Sequence, residues 1–241
     1  MNLFFSCSII VSEDKHRGES PNMKKELIFL GPPACGKGTQ TTMLAEHLHF
    51  PHIDTGSLLR AEIAANTDAG KEAKLYIDEG HLVPVTLVAK IIKNRLSQDD
   101  CKNGYILDGY PRSLEQADAL TGINDSINGN QKTSFKAIYF DIDTDMLIER
   151  IVNRRSCPKC GEIYNLKSKA PKVDGICDKC GEKLTQRKDD TREIAQERFD
   201  TYFKETAPLI DYYKSRGVLK TINANGDISE VWERLLKAVN D

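Results

Sequence analysis

Short apolar stretches and segments of helical spacing alternate along this chain. The apolar stretches occupy residues 26–30, 52–54, 105–108, 135–142 and 218–223. The clearest helical patterns cover residues 37–49, 84–98 and 228–239. In the second of these, Val85, Val88 and Ile92 recur three or four positions apart, which places them on one face of a helix. Strands that alternate with helices predict an α/β fold, in which a parallel sheet carries helices on both faces.

Two segments break this alternation. Residues 54–83 are helical by composition, with interruptions at Gly70 and Gly80. Residues 153–190 are polar, show little apolar periodicity and contain two Cys-x-x-Cys pairs. We therefore predict that both segments are insertions into a core made of residues 23–53, 84–152 and 191–241.

The first 22 residues do not fit this pattern. Residues 3–11 are apolar, but polar positions at 6–8 interrupt them, no basic residue precedes them and no small-x-small cleavage site follows. This pattern argues against a secretory signal. Met23 stands directly before the first strand, so we expect residues 1–22 to be a disordered extension or the result of a misplaced start.

Composition narrows the choice of partners. The 241 residues include 34 basic and 36 acidic ones, a net charge of −2, so no general attraction to nucleic acid or anionic lipid is expected. No apolar run approaches the roughly 20 residues that cross a bilayer. The seven cysteines are an odd number and do not form an evenly spaced disulfide framework. We expect a cytoplasmic protein that binds neither membranes nor nucleic acid.

A glycine-rich loop follows the first predicted strand. Gly31, Gly36 and Lys37 fit the pattern Gly-x4-Gly-Lys, and a helix is predicted to start directly afterwards. In this context backbone N–H groups bind phosphates and the lysine reaches the outer ones. Gly38 stands where the strict pattern has Ser or Thr, so Thr39 must supply the hydroxyl. The alternative is a glycine-rich turn that merely starts a helix.

A carboxylate ends the third apolar stretch. Asp108 closes the run 105–108, an arrangement that places an aspartate near a phosphate-bound magnesium ion. A strand-terminal aspartate can also simply cap a helix or a turn. Together with the glycine-rich loop, the position favours a role near Mg²⁺, and we expect Mg²⁺ to accompany the nucleotide.

The two Cys-x-x-Cys pairs have the spacing of a zinc ribbon. Cys157 and Cys160 are separated from Cys177 and Cys180 by 16 residues. Four thiolates complete a tetrahedral zinc site, and metal binding would fold a segment that has almost no apolar core. We therefore predict a structural Zn²⁺ ion, with disulfides or a redox pair as the alternatives.

Six arginines flank or lie within the two predicted insertions. They are Arg60, Arg112, Arg150, Arg154, Arg187 and Arg198. Phosphoryl transfer between two nucleotides gathers several phosphate charges, which guanidinium groups and magnesium neutralise. Each arginine alone could equally be a solvated surface residue.

These motifs together resemble the adenylate kinase family in its long-lid, zinc-bearing form. The matching stretches are residues 31–40, 54–60, 101–112, 150–155, 187–190 and 206–213, and the resemblance extends from Lys24 to the C-terminus. It implies a P-loop nucleoside monophosphate kinase fold with a five-stranded parallel sheet. Residues 54–83 would then be a segment that binds the nucleoside monophosphate (the NMP segment), and residues 153–190 would be a zinc-binding lid.

The resemblance also implies an activity and a set of site residues. The activity is reversible, magnesium-dependent transfer of a phosphoryl group from ATP to AMP, giving two ADP. The catalytic residues would be Lys37, Arg112, Arg154, Arg187 and Arg198. The ATP site would comprise Gly31, Ala34, Cys35, Gly36, Lys37, Gly38, Thr39, Arg150, Arg154, Ile163, Tyr164 and Gly226. The AMP site would comprise Thr55, Arg60, His81, Leu82, Val83, Gly109, Tyr110, Pro111, Arg112, Gln116, Arg187 and Arg198. Asp189 and Asp190 would form the lid hinge, and the protein would act as a monomer.

Two of these positions carry specific expectations. A carboxamide at Gln116 matches the donor and acceptor edge of adenine, but Ser113 and Gln116 also fit a capping box, in which Gln bonds back to the backbone. Ala34 replaces the glycine that the family usually has in the phosphate loop. We expect that this position does not need positive φ.

Two other functions remain open at this point. One is a nucleoside monophosphate kinase for UMP, CMP or GMP, although Gln116 and the long lid count against a pyrimidine kinase. The other is a zinc-ribbon ATPase that binds nucleic acid, since residues 153–190 are locally basic. Gly109 follows Asp108 in place of the glutamate that many ATPases use to activate water, which argues against this second function.

Overall fold

A five-stranded parallel sheet forms the centre of the molecule. The computed structural model describes residues 23–145 and 147–241, and the extension predicted at residues 1–22 lies outside the described residues. The sheet strands are β1 (Lys24–Leu30), β2 (His52–Asp54), β3 (Gly104–Asp108), β4 (Thr133–Asp141) and β7 (Leu219–Asn223). Their order across the sheet is β2-β3-β1-β4-β7, and every pair is parallel. The predicted α/β fold is confirmed.

Helices connect these strands and cover the sheet. They are α1 (Lys37–Leu48), α2 (Thr55–Ala64), α3 (Asp68–Ile77), α4 (Val85–Leu96), α5 (Leu114–Asn128), α6 (Leu147–Val152), α7 (Arg192–Thr201), α8 (Pro208–Ser215) and α9 (Ile228–Asn240). The three helices predicted from apolar spacing are present. The first ends one residue earlier than predicted because His49 adopts a left-handed conformation, with φ 55°.

Both faces of the sheet are buried. Along β1, Leu27 and Phe29 pack on one face against α1, α6, α7 and α9. Ile28 and Leu30 pack on the opposite face against α4, α5 and α8. A strand buried on both sides reads as a continuous apolar run, which explains the Leu-Ile-Phe-Leu sequence of β1.

The carboxyl ends of the strands meet at one edge of the sheet. Asp108 at the end of β3 lies opposite Phe29 in β1 and Asp54 in β2. β2 and β3 lie on one side of β1, whereas β4 and β7 lie on the other side. The direction in which the chain adds strands to the sheet therefore reverses beside β1. Ligands of open α/β sheets bind in the crevice at such a reversal.

The cysteine-containing segment has its own small sheet. β5 (Arg154–Ser156) and β6 (Ile163–Asn165) pair antiparallel, and Ser156 bridges to Thr185. Three buried side chains, those of Cys157, Tyr164 and Cys177, form its apolar cluster. So small a cluster cannot hold 38 residues in one conformation, which agrees with the prediction that a metal stabilises this segment. No helix among residues 23–145 and 147–241 is long and apolar enough to cross a membrane.

Candidate active site

A large cavity opens at the carboxyl edge of the sheet. Its volume is about 1510 Å³, and its wall includes the phosphate loop, the end of β3, β6 and α7. Ten of the lining residues are Arg or Lys and five are Asp or Glu. A cavity with this excess of positive charge is suited to polyanionic ligands.

The phosphate loop presents backbone N–H groups to this cavity. Gly36 precedes α1 with φ 89°, and no side chain caps the N-terminus of the helix. No acidic residue lies in the first turn of α1. The helix therefore presents a first turn that no side chain caps and the positive end of its dipole, an arrangement suited to binding phosphate.

Lys37 stands between this loop and the end of β3. Its Nζ donates a hydrogen bond to the carbonyl oxygen of Gly31 at 3.3 Å and lies 3.8 Å from Asp108 Oδ1. The ammonium group thus bridges the phosphate loop and the carboxylate. Its contact with an outer phosphate stays a prediction.

Ala34 contradicts its sequence-based expectation. Its φ is +61°, within the left-handed region, so position 34 does adopt positive φ. Alanine pays a steric cost in this region because its Cβ approaches the following carbonyl oxygen. The loop keeps its shape despite the alanine, because the surrounding structure holds the residue in an unfavourable conformation.

Asp108 is the centre of a polar cluster behind the phosphate loop. Its Oδ2 lies 3.2 Å from Thr41 Oγ1 and 3.6 Å from His52 Nε2. Burial raises the pKa of Asp108, but its interactions with Lys37, His52 and Arg112 outweigh this effect and hold the pKa below its ordinary value. The carboxylate is therefore charged at neutral pH.

Arg112 is half-buried at the rim of the cavity. Its Nε donates to the carbonyl oxygen of Gly109 at 2.8 Å. No carboxylate of the described residues lies within 4.0 Å of its guanidinium group. Gly109 has φ 76°, which favours glycine, and a Cβ there would lie 2.9 Å from Arg112 Nη2, so a larger residue would displace the guanidinium group from this position.

Three further arginines come together on the side of the cavity facing β5 and α7. Arg154 forms a two-point ion pair with Asp190, which is completely buried. Arg198 contacts Asp189 at 3.3 Å and Asp190 at 3.5 Å. Burial and the neighbouring Arg154 lower the pKa of Arg187 to about 10. The same two causes lower the pKa of Arg198 to about 10, which shows how closely these positive charges are crowded.

The predicted AMP residues divide into two groups. Arg60 lies at the cavity and contacts Asp54 Oδ2 at 3.3 Å, while Asp54 caps the N-terminus of α2. His81 is exposed, and its ring nitrogens lie 3.3 Å from Glu79 and 3.2 Å from Glu197. The histidine thus joins the segment 54–83 to α7 and does not line the cavity.

Gln116 does not form the alternative capping box. Its Oε1 accepts a hydrogen bond from the backbone N–H of Arg112 at 2.8 Å, whereas a capping box requires a bond to the N–H of Ser113. Ser113 Oγ does accept from the N–H of Gln116, so only half of the box is present. The amide is buried and held in one orientation.

The other predicted site residues can be placed in the same way. Those that line the cavity are Gly31, Ala34, Cys35, Gly36, Lys37, Gly38, Thr39, Arg60, Leu82, Asp108, Gly109, Pro111, Arg112, Arg150, Arg154, Ile163, Tyr164, Arg187, Arg198 and Gly226. Those that do not are Thr55, His81, Val83, Tyr110, Gln116, Asp189 and Asp190. Val83 and Tyr110 belong to the apolar core instead. Their part in nucleotide binding stays a prediction.

The four cysteines form one cluster. Their sulfur atoms all lie within 4.8 Å of one another, with Cys157 and Cys180 3.4 Å apart and Cys160 and Cys177 3.5 Å apart. A disulfide needs about 2.05 Å, so these thiols are not bonded to each other. Zn–S distances of about 2.3 Å in a tetrahedron place the sulfurs about 3.8 Å apart, so the cluster fits a zinc ion.

Some site residues gave no signal in the sequence. His52 contributes to the Asp108 cluster, with Nε2 3.0 Å from Thr41 Oγ1. Thr206 lines the cavity and donates to the carbonyl oxygen of Arg112 at 2.7 Å. These contacts join distant parts of the chain, so neither local spacing nor composition could reveal them.

The fold and cavity define the class of protein. A phosphate loop after the central strand of a parallel sheet, an arginine-lined cavity beside it and two segments outside the sheet are the features of a P-loop nucleoside monophosphate kinase. The chain belongs to the adenylate kinase family, whose model matches residues 29–218.

Curated relatives agree with this family. The adenylate kinase of Clostridium tetani is 43% identical over 217 residues, which cover 89% of this chain and 99% of that protein. The adenylate kinase of Thermodesulfovibrio yellowstonii is 46% identical over 209 residues, 87% of this chain and 96% of the relative. The match therefore extends over almost the whole length of both relatives.

Proposed function

We propose that the protein transfers a phosphoryl group reversibly from magnesium-bound ATP to AMP, giving two ADP. The arginine-lined cavity beside the phosphate loop carries this proposal. Arg112 and Arg187 stand there without a carboxylate within 4.0 Å among the described residues, so their charges are available to ligand phosphates. The names of the curated relatives support the same activity.

The phosphate loop would hold the ATP phosphates. Backbone N–H groups at the start of α1 would bind them, and Lys37 would contact the outer phosphate from its position beside Asp108. Arg150, exposed at the cavity, would stack on the adenine, and the backbone of Ile163, Tyr164 and Gly226 would contact the rest of the nucleotide.

The arginines would stabilise the group in transfer. Arg112, Arg154, Arg187 and Arg198 all line the cavity, and charge accumulates on the phosphoryl oxygens as the group moves. Arg60 would bind the AMP phosphate. The reaction needs in-line positioning and charge neutralisation, and no covalent intermediate with the protein.

We propose that the lid (153–190) and the NMP segment (54–83) close over the two nucleotides. Closure would exclude water, so that AMP and not water accepts the phosphoryl group. Asp189 and Asp190 would act as the hinge, since both pair with Arg198 in α7 and Asp190 also pairs with Arg154. This division of the chain into core, NMP segment and lid follows the sequence boundaries given above.

Two metal ions fit the residues present. Oxygen ligands suit Mg²⁺, and Thr39 and Asp108 both line the cavity. Because the Asp108 carboxylate already contacts Lys37, Thr41 and His52, it would act on the ion through a bound water. Mg²⁺ would neutralise phosphate charge, and Zn²⁺ in the four-cysteine cluster would stabilise the lid.

We also propose that the protein acts in the cytoplasm as a monomer and without nucleic acid. Its near-neutral net charge of −2 supports the last point, because nucleic-acid binding relies on excess positive charge.

An acceptor assay tests the proposed function. ADP formation is measured from ATP with AMP, CMP, UMP or GMP as the acceptor, together with metal analysis of the same sample. We expect AMP to be the preferred acceptor. Preference for another monophosphate would contradict the AMP assignment, and salt-dependent nucleic-acid binding without AMP-dependent ADP formation would contradict the proposed enzyme class.

A further inference from the structure

The helix that follows the lid is interrupted by a π-helical turn. The turn covers Tyr202–Thr206, between α7 and α8, and the N–H of Ala207 bonds to the carbonyl oxygen of Tyr202, five residues earlier. Single π turns inside helices are frequent at functional sites. This one lies at the cavity, because Tyr202 and Thr206 both line it.

The extra residue changes which side chains face the cavity. Arg198 and Thr206 are eight residues apart, and a regular α-helix would place them about 80° apart around its axis. One π turn removes about 100° of rotation, which leaves them about 20° apart. The π turn therefore brings Thr206 to the same side of the helix as Arg198.

Thr206 uses this position to contact Arg112. Its Oγ1 donates to the carbonyl oxygen of Arg112 at 2.7 Å, across 94 residues of sequence, and Thr206 is only 8% exposed. The N–H of Arg112 is held by Gln116 and its Nε by the carbonyl oxygen of Gly109. Three hydrogen bonds thus fix Arg112, and none of them comes from a carboxylate.

We propose that Thr206 is a positioning residue that fixes Arg112 for phosphate binding and links it to Arg198 through α7 and the π turn. This inference rests on the proposed function. An arginine without an ion pair depends on its backbone and on neutral acceptors for its position. A misplacement of about 1 Å at a reacting centre can reduce the rate by about 100-fold.

Three variants test the role of Thr206. Thr206→Val removes the hydroxyl with little change in volume, and Thr206→Ser keeps it. Thr121→Val is the matched control, since Thr121 does not line the cavity and its Oγ1 donates to the carbonyl oxygen of Ala117 in its own helix at 3.1 Å. We expect Thr206→Val to reduce kcat about tenfold and to raise the KM for AMP, with the KM for ATP unchanged. Thr206→Ser and Thr121→Val should stay within about twofold of the unaltered protein.

A double-mutant cycle with Arg112→Lys tests whether Thr206 acts through Arg112. If it does, Thr206→Val should lose most of its effect in the Arg112→Lys background, because residues that share one interaction are not additive. Additive effects would overturn the proposal. So would an equal loss in Thr206→Val and Thr206→Ser, or a Thr206→Val protein with unaltered kinetics.

The same double-mutant cycle can also be measured by ligand binding, without catalysis. Calorimetry measures the affinity of the same four proteins for inorganic tripolyphosphate, which requires the arginines but no nucleoside. Thr206→Val should weaken binding about tenfold only when Arg112 is present, and equal weakening in both backgrounds would overturn the proposal. If the unaltered protein binds tripolyphosphate but forms no ADP from AMP, the proposed function fails. The tripolyphosphate affinities of the four proteins still decide the role of Thr206 in that case.

Discussion

Replacement of Ala34 by glycine should relieve strain in the phosphate loop. Ala34 has φ +61°. In the phosphate loop it follows Pro32 and Pro33 and precedes Cys35 and Gly36. A residue with a Cβ pays about 1–2 kcal/mol in the left-handed region, and glycine does not. Ala34→Gly therefore removes a cost that the folded protein now carries.

The net effect on stability is smaller than this strain. Glycine also gains conformational freedom in the unfolded chain, which opposes folding by about 0.4–1 kcal/mol. The difference leaves a net stabilisation of about 0.7 kcal/mol. For a chain of this size, about 1 kcal/mol shifts Tm by roughly 2–4 °C, so Ala34→Gly should raise Tm by about 2 °C.

Thermal unfolding of a matched pair checks this reasoning. Ala119 lies inside α5, where glycine is unfavourable, so Ala119→Gly should lower stability by about 0.5–1 kcal/mol. The same substitution should therefore raise stability at position 34 and lower it at position 119. ATP affinity should change less than tenfold in Ala34→Gly, because the loop already has a conformation that glycine adopts without strain. A fall in Tm for Ala34→Gly similar to that for Ala119→Gly would refute the claim that Ala34 is strained.

Three other changes have defined outcomes. Tyr110→Phe should raise the free energy of unfolding in urea by about 1 kcal/mol, because the buried Tyr110 hydroxyl has no hydrogen-bond partner among the described residues. Tyr105→Phe should lower the free energy of unfolding by about 1 kcal/mol, since the Tyr105 hydroxyl donates to Asn124 at 3.0 Å. A change in the same direction for both variants would contradict this reasoning. Because the folded-state pKa of Asp108 is lowered, its charge stabilises the protein above about pH 4, and this contribution is lost as the pH falls through the folded-state value. Stability should therefore decline more steeply between pH 5 and 3 in the unaltered protein than in Asp108→Asn, and equal slopes would argue against the shift. Metal chelation should lower Tm with little change in initial room-temperature turnover, whereas immediate loss of activity while residues 153–190 stay folded would indicate a catalytic metal.

Local patterns predicted the elements and motifs whose physics is local. The apolar runs predicted the parallel sheet, since a strand buried on both faces must be apolar at every position. The spacing of the cysteines predicted a cluster that the structure contains, because two short Cys-x-x-Cys turns can each present two sulfurs to one point. The glycine pattern likewise placed the phosphate loop at the start of α1.

The positions that sequence reasoning got wrong or missed depend on backbone conformation and hydrogen bonding that residue patterns do not fix. Positive φ at Ala34 could not be read from composition, because the tertiary structure imposes it against the preference of the residue. The capping-box alternative for Gln116 uses the right residues, but the amide bonds to the N–H of Arg112, one residue further back. Thr206 gained its role from a π turn, and one extra residue in a helix leaves no mark on hydrophobic periodicity.

The charges around the cavity are only partly compensated by the protein itself. Asp189 and Asp190 pair with Arg198, and Asp190 also pairs with Arg154, whereas Arg187 has no carboxylate within 4.0 Å among the described residues. Burial and the charge of Arg154 lower the pKa of Arg187 to about 10, so the folded protein carries an unfavourable concentration of positive charge. Bound phosphates would remove this repulsion in the folded state alone. A ligand at 100 times its Kd adds about 2.7 kcal/mol of stability by mass action, so the same arginines that destabilise the empty protein would make its stability depend on nucleotide.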